Sequence, residues 1–226
     1  MNPMGASTLG GLLAWGTAVG LDLVSLPQGL LSRPLVAGGV AGWIAGDPEA
    51  GIRVGAVLEL FALDVLPVGA VCYPDFGPAT VGAVAFAAGS SWQAALGPAV
   101  TLGLAVAAAG GWALQWVRHA NARSIQARVA ALAAGDPATI VALQYAGLAR
   151  DAIRSAGLTA LGLGAAYFGG RLDLAGRSGS PTLAAVAAAV GLAAVIGGAW
   201  RTGRSQGRLR WLGIGVLAGV VWGWLG

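Results

Sequence analysis

Leu96-Gly97-Pro98-Ala99-Val100-Thr101-Leu102-Gly103-Leu104-Ala105-Val106 and its continuation Ala107-Ala108-Ala109-Gly110-Gly111-Trp112-Ala113-Leu114-Gln115-Trp116-Val117 contain no ionised side chain. An apolar helix of about 20 residues crosses a hydrocarbon core of about 30 Å, so this stretch is long enough to span a bilayer. Ser180 to Trp200 and Trp211 to Gly226 are free of charge in the same way. Soluble domains carry about 25% charged residues because their surfaces must be wetted. Here only 10% of 226 residues are charged and 57% are hydrophobic, with a mean hydropathy of +0.75. A soluble globule is excluded. The alternation of polar and apolar positions that marks a membrane barrel is absent. The fold class is therefore all-α, a polytopic integral membrane protein forming a single membrane domain over 1–226.

Within that domain, residues 5–91 read as a broken-helix region with discontinuous or re-entrant helices. Residues 92–117 read as a span, 118–155 as cytoplasmic amphipathic helices, and 156–226 as three further spans. No Lys or Arg precedes the first apolar stretch, so Gly5 to Leu21 reads as a retained helix rather than a cleaved signal. The net charge of +4 comes from arginine alone. One cluster holds Arg118, Arg123, Arg128, Arg150 and Arg154; the other holds Arg201, Arg204, Arg208 and Arg210. Short basic loops between apolar runs follow the positive-inside rule, which places loops 118–155 and 201–210 in the cytoplasm and argues against nucleic acid. Trp112, Trp116, Trp200 and Trp211 flank these clusters, as expected of indoles at the headgroup level.

Asn121 to Ala134 reads as an amphipathic helix closed by Gly135, and Asp136-Pro137 as the N-cap and first turn of the next. Ser180-Pro181 repeats that start. The 39 glycines include two ladders, Gly38/Gly42/Gly46 and Gly215/Gly219/Gly223, spaced for close helix packing within one chain or between copies. The single Cys72 excludes an intrachain disulfide and a cysteine-based metal cluster; no metal site and no cofactor are expected.

The informative region is Asp22 to Pro78. It concentrates Asp22, Arg33, Asp47, Glu49, Arg53, Glu59, Asp64 and Asp75 among Pro27, Pro34, Pro48, Pro67, Pro74 and Pro78. Intramembrane charges are costly and need a partner or a function. Short apolar pieces broken by Gly and Pro beside such charges point to discontinuous helices around a transporter's substrate site.

The segment Gln28-Gly29-Leu30-Leu31-Ser32-Arg33-Pro34-Leu35-Val36-Ala37-Gly38, then Gly42, Gly46-Asp47, Gly51, Gly55-Ala56-Val57-Leu58-Glu59-Leu60, Pro67-Val68-Gly69-Ala70 and Pro74-Asp75 resembles the IIC permease subunits of mannose/sorbose-type phosphotransferase systems. Asp22 fits the same pattern, and the strong match runs from Asp22 to Ala85. The resemblance implies a permease for a hexose-like sugar that works with a IID membrane subunit in a trimeric, elevator-type assembly. A soluble IIA/IIB pair would phosphorylate the sugar, leaving this chain without enzymatic activity of its own. His119, in the arginine loop, and Cys72, in an apolar setting, form no phosphoryl-carrying constellation.

Glu59, Gln28, Asp75 and Asp22 are the candidate sugar-binding residues. A carboxylate accepts from two adjacent hydroxyls, and an amide both donates and accepts. The structural readings beside these are an Arg33–Glu59 ion pair, a helix cap at Asp75, and the satisfaction of freed backbone groups by Gln28 and Asp22. Arg33 and Asp47 read as an ion-pair residue and an N-cap. Two other classes remain open at this point: a membrane scaffold or regulatory remnant that moves no sugar, and an unrelated secondary transporter.

Overall fold

A computed structural model describes residues 4–26, 28–65, 71–202 and 214–215. Nine helices occupy them: α1 (Ala6–Asp22), α2 (Pro34–Ala45), α3 (Pro48–Leu63), α4 (Phe76–Ala87), α5 (Trp92–Gln126), α6 (Val129–Ala133), α7 (Pro137–Arg171), α8 (Leu174–Ser178) and α9 (Pro181–Thr202). No strand occurs among the described residues. The expectations for Pro27, Pro67 to Ala70, Arg204, Arg208, Arg210, Gly219, Gly223 and most of the final apolar stretch lie outside them.

Local chemistry sets the helix starts. Pro34, Pro48, Pro137 and Pro181 each open a helix, where the missing N–H costs nothing and the fixed φ is already helical. Asp47 accepts from the Ala50 amide at 3.0 Å and caps α3. Its second oxygen takes the Gly89 amide at 3.0 Å, tying the start of α3 to the α4–α5 turn. Asp136 accepts from the amides of Ala138 and Thr139 and caps α7. The Thr139 hydroxyl and the Ala138 amide hold the Asp136 carboxyl below the usual carboxylate range.

Helix α4 is buried on every face. Around it pack α1, α2, α3, α5 and α7, and the apolar core runs through Leu12, Leu58, Val81, Val84 and Val100. Helices α2 and α3 approach until backbones touch. A Cβ at Gly42 would lie 2.7 Å from Gly51 Cα, and one at Gly38 would lie 2.6 Å from the Gly51 carbonyl oxygen. The first ladder is thus an internal packing face for two of its rungs. Gly46 differs from them. At φ 78° it ends α2, and its N–H returns to the carbonyls of Gly42 and Trp43.

Two helices, Trp92–Gln126 and Pro181–Gly198 within α9, are long and apolar enough to cross a membrane. Only 11% of the second is buried. Trp43, Trp112, Trp116 and Ile153 are also exposed, each by more than 70%. Faces this apolar suit lipid or a partner rather than water.

The structure corrects one expectation. The helix starting at Trp92 runs on past Val117 to Gln126, a length of 35 residues, with no Gly or Pro between Trp112 and Gln126 to interrupt it. The separate amphipathic helix expected over Asn121–Ala134 is therefore split: its first half prolongs α5, and α6 is a short piece after a turn at Ala127–Arg128. Cys72 is exposed at the surface of the helical bundle.

Gly42→Leu should block the α2–α3 contact, because overpacked backbone crossings cost about 1–3 kcal/mol or more. The thermal midpoint in detergent is expected to fall by several degrees. Gly10→Ala, where a Cβ meets nothing within 4 Å, should leave it unchanged or raise it slightly, since alanine is the better helix former.

Candidate functional site

After α1 the chain cannot simply restart a helix, since Arg33 precedes Pro34 and is biased toward extended backbone. It adopts φ −66°, ψ 130°. The intervening residues take strained conformations, with Gln28 at φ 53° and Leu30 at φ 64°. Backbone N–H groups freed in such a break need acceptors. Asp22, 3% exposed, supplies them: its two oxygens accept from the Gly29 amide at 2.6 Å and the Ser32 amide at 3.0 Å. Gln28 Nε2 donates to the Leu23 carbonyl at 3.2 Å.

Beside this break, the Arg33 guanidinium pairs with Glu59 of α3. The other Glu59 oxygen takes the Leu35 amide at 3.1 Å, so the carboxylate also sits at the positive end of α2. Asp22, Gln28, Ser32 and Arg33, together with Tyr73, Pro74 and Phe76, line a cavity of about 270 Å³. That volume suits one small polar molecule. Of the sequence candidates, Asp22, Gln28 and Arg33 meet in this cleft. Glu59 stands behind Arg33 and is engaged by it. Asp47 lies at the opposite end of α3.

Asp75 ends a non-helical stretch, 71–75, and its own amide donates to the Ala107 carbonyl of α5 at 2.9 Å. Although it precedes α4, its side chain makes no cap hydrogen bond. Its carboxylate, fully buried, pairs with Arg154 of α7. Arg154 Nε also donates to Asp151 at 2.8 Å, and Nη2 reaches the Gly20 carbonyl and the Ser155 hydroxyl, each at 3.3 Å. Ser25 in turn donates to Asp151. Asp75 Oδ1 has no hydrogen-bond partner. Two carboxylates thus face one guanidinium among buried atoms of α1, α4 and α7.

Arg154 departs from the expectation that the whole first arginine cluster faces the cytoplasm in loops. Its side chain is 3% exposed. The reason is its partners: a guanidinium with two carboxylates is neutralised well enough to be buried, which an isolated arginine is not. Asp151 and Arg154 stand three residues apart on one helix, and that i,i+3 spacing is the signal that could have found them. Tyr73 and Arg118 are further residues of the site that sequence reasoning missed. Arg118 donates to the Tyr73 hydroxyl at 3.0 Å and the Val71 carbonyl at 2.9 Å, and lies 5.1 Å from the Tyr73 ring centroid. Asp64, at the end of α3, lies against Gly198 of α9. No group of three or more metal-ligating side chains occurs among the described residues.

Arg154→Met removes the shared partner and leaves two buried carboxylates uncompensated, a loss of about 3–5 kcal/mol. Asp151→Asn leaves one carboxylate against one guanidinium and should cost much less. Denaturant titration of the purified protein in detergent should rank the two in that order; equal losses would contradict the pairing.

The model of the family described as "PTS system sorbose-specific IIC component" matches residues 7–173. A curated relative, the PTS system sorbose-specific EIIC component of Lacticaseibacillus casei, is 41% identical over 64 residues, covering 28% of this chain and 23% of that protein. The chain thus spans about a quarter of that relative's length in the matched part. Among solved structures, the mannose transporter ManYZ in complex with microcin E492 superposes with a TM-score of 0.63 at 19% identity, covering 96% of this chain and 87% of that one. A second, described as a membrane protein, superposes with a TM-score of 0.70 at 20% identity over the same shares. At these identities the structures establish a common fold. With the family match extending over more than half of the sequence, the chain belongs to the sorbose-specific IIC component family of the phosphotransferase system.

Proposed function

We propose that this chain is the sugar-translocating IIC subunit of a mannose/sorbose-type phosphotransferase system, and that a hexose-like sugar binds in the cleft at the α1–α2 break. The observation that carries this reading is the cleft itself. A carboxylate, an amide, a hydroxyl and a guanidinium converge on a cavity of about 270 Å³, beside backbone held out of helical geometry by Asp22. Polyhydroxylated ligands are read by such mixtures of donors and acceptors. In this reading Gln28 and Asp22 present polar groups to the sugar, Arg33 is aimed by Glu59, and Asp75 positions the Tyr73–Pro74 wall from behind.

Helices α2 and α4 have 12 residues each, about 18 Å and well short of a bilayer core. Their lengths support a re-entrant arrangement around the cleft. The Arg118–Arg150 end then faces the cytoplasm, in the inner membrane of the cell. Phosphoryl transfer falls to soluble IIA/IIB components, and a IID membrane subunit completes the translocation path in a trimeric assembly. The exposed apolar faces of Trp43 and α9 provide surfaces that such a partner could cover.

Uptake of labelled sorbose and mannose, in cells that also carry the cognate IID and IIA/IIB components, tests the proposal. Gln28→Ala should raise the apparent KM about fivefold, the equivalent of one hydrogen bond of about 1 kcal/mol. Asp22→Asn and Glu59→Gln should each lower uptake at least about tenfold, because a buried or paired charge network is broken. Wild-type uptake by all three variants, at normal levels in the membrane, would sink the assignment of the cleft.

A further inference from the structure

A second cavity, of about 460 Å³, lies between the end of α1, α5 and α7. Its polar wall includes Arg118, Arg150, Asn121, Ser124 and Gln144. Arg150 donates to Asn121 Oδ1 and Ser124 Oγ, both at 2.8 Å. Arg118 donates to the Tyr73 hydroxyl and the Val71 carbonyl. All four acceptors are neutral. Among the described residues, neither guanidinium has a carboxylate within ion-pair distance. The one acid in the wall, Asp151, is already engaged by Arg154 and Ser25. Each guanidinium uses two of its five donors in these bonds, which leaves N–H groups for an anion.

The cavity has an apolar annex. Arg150 also borders a groove of about 560 Å³ formed by Trp112, Trp116, Val117 and Ile153. Trp112 and Trp116, one turn apart on α5, are 75% and 81% exposed, and Ile153 is 73% exposed. A basic, hydroxyl-bearing pocket thus adjoins, across Val117 and Arg150, a strip of indole and aliphatic surface.

We propose that this composite site binds an anionic phospholipid. Its phosphate and headgroup hydroxyls would lie in the cavity between Arg118 and Arg150, and its acyl chains along Trp112, Trp116 and Ile153. The phosphate accepts bidentate guanidinium bonds, and Asn121, Gln144 and Ser124 suit a glycerol headgroup. The apolar strip favours a lipid over a free phosphate ester, which would leave it uncovered. Basic pockets between membrane helices favour anionic headgroups, and two arginines contribute here. The proposal depends on membrane residence and on neither the sugar nor the cleft.

Tryptophan quenching by brominated lipids in nanodiscs containing the full-length protein tests it. In a phosphatidylcholine background, brominated phosphatidylglycerol should reach half-maximal quenching at about tenfold lower mole fraction than brominated phosphatidylcholine. Trp112→Phe with Trp116→Phe should abolish the preferential part of the signal, and Arg118→Gln with Arg150→Gln should equalise the two lipids. Equal quenching of the native protein, as expected if a second copy of the chain covers the tryptophans, overturns the proposal. So does a preference for phosphatidylglycerol that survives the tryptophan substitutions or a folded arginine variant. If mannose 6-phosphate erases the preference and binds in a manner that requires both arginines, the cavity belongs to a free phosphate ester instead.

Discussion

Arg154 is the cation around which three separate pieces of this protein are arranged. It binds Asp75 just before α4 and Asp151 one turn back on α7, and it reaches the carbonyl of Gly20 near the end of α1. Placing a guanidinium among buried helices is unfavourable unless its charge and donors are met. Meeting them here brings the end of α1 and the start of α4 against the middle of α7. The α1–α2 break and the non-helical 71–75 stretch then both border the cleft. Glycine contact between α2 and α3 brings Glu59 to Arg33 and closes a third side.

The parts legible in the sequence are those governed by neighbours along the chain. Proline at the first helical position and the Asp47 and Asp136 caps announce helix starts, and the structure has helices starting there. The Gly38/Gly42 spacing marks a packing face; Gly46 continues that spacing, but Pro48 two residues on is the local mark of a left-handed terminator. The Asp22–Pro78 region stands out because its charges and prolines break an otherwise apolar chain. Asp22, Gln28 and Arg33 do share a cleft there. Glu59 is conspicuous for its isolation in an apolar run, a criterion that finds a charge needing a partner without choosing between Arg33 and a sugar. The structure pairs it with Arg33.

Long-range pairing is illegible in the sequence. Arg154 counts there as one more arginine in a basic cluster, and its partner Asp75 lies 79 residues earlier in the chain. Only the Asp151–Arg154 spacing carries a local trace of this network. Tyr73 is hidden for a similar reason: its wall position depends on Arg118, 45 residues away. The reach of α5 past Val117 escapes because charge marks where a helix leaves the membrane, not where it stops.

The cleft and the buried network are neighbours rather than one site. Tyr73 and Pro74 line the cleft, and Asp75, the next residue, is held by Arg154. A ligand that moves the 71–75 stretch would therefore act on the contact that joins α1, α4 and α7, giving sugar binding a route to helix rearrangement. A structure of the chain with a IID subunit and added sorbose or mannose would test the proposed sugar site. Sugar density is expected between Asp22, Gln28, Arg33 and Tyr73. Sugar bound instead at the opposite end of α3, beside Arg53 and Trp92, would contradict the assignment of the cleft.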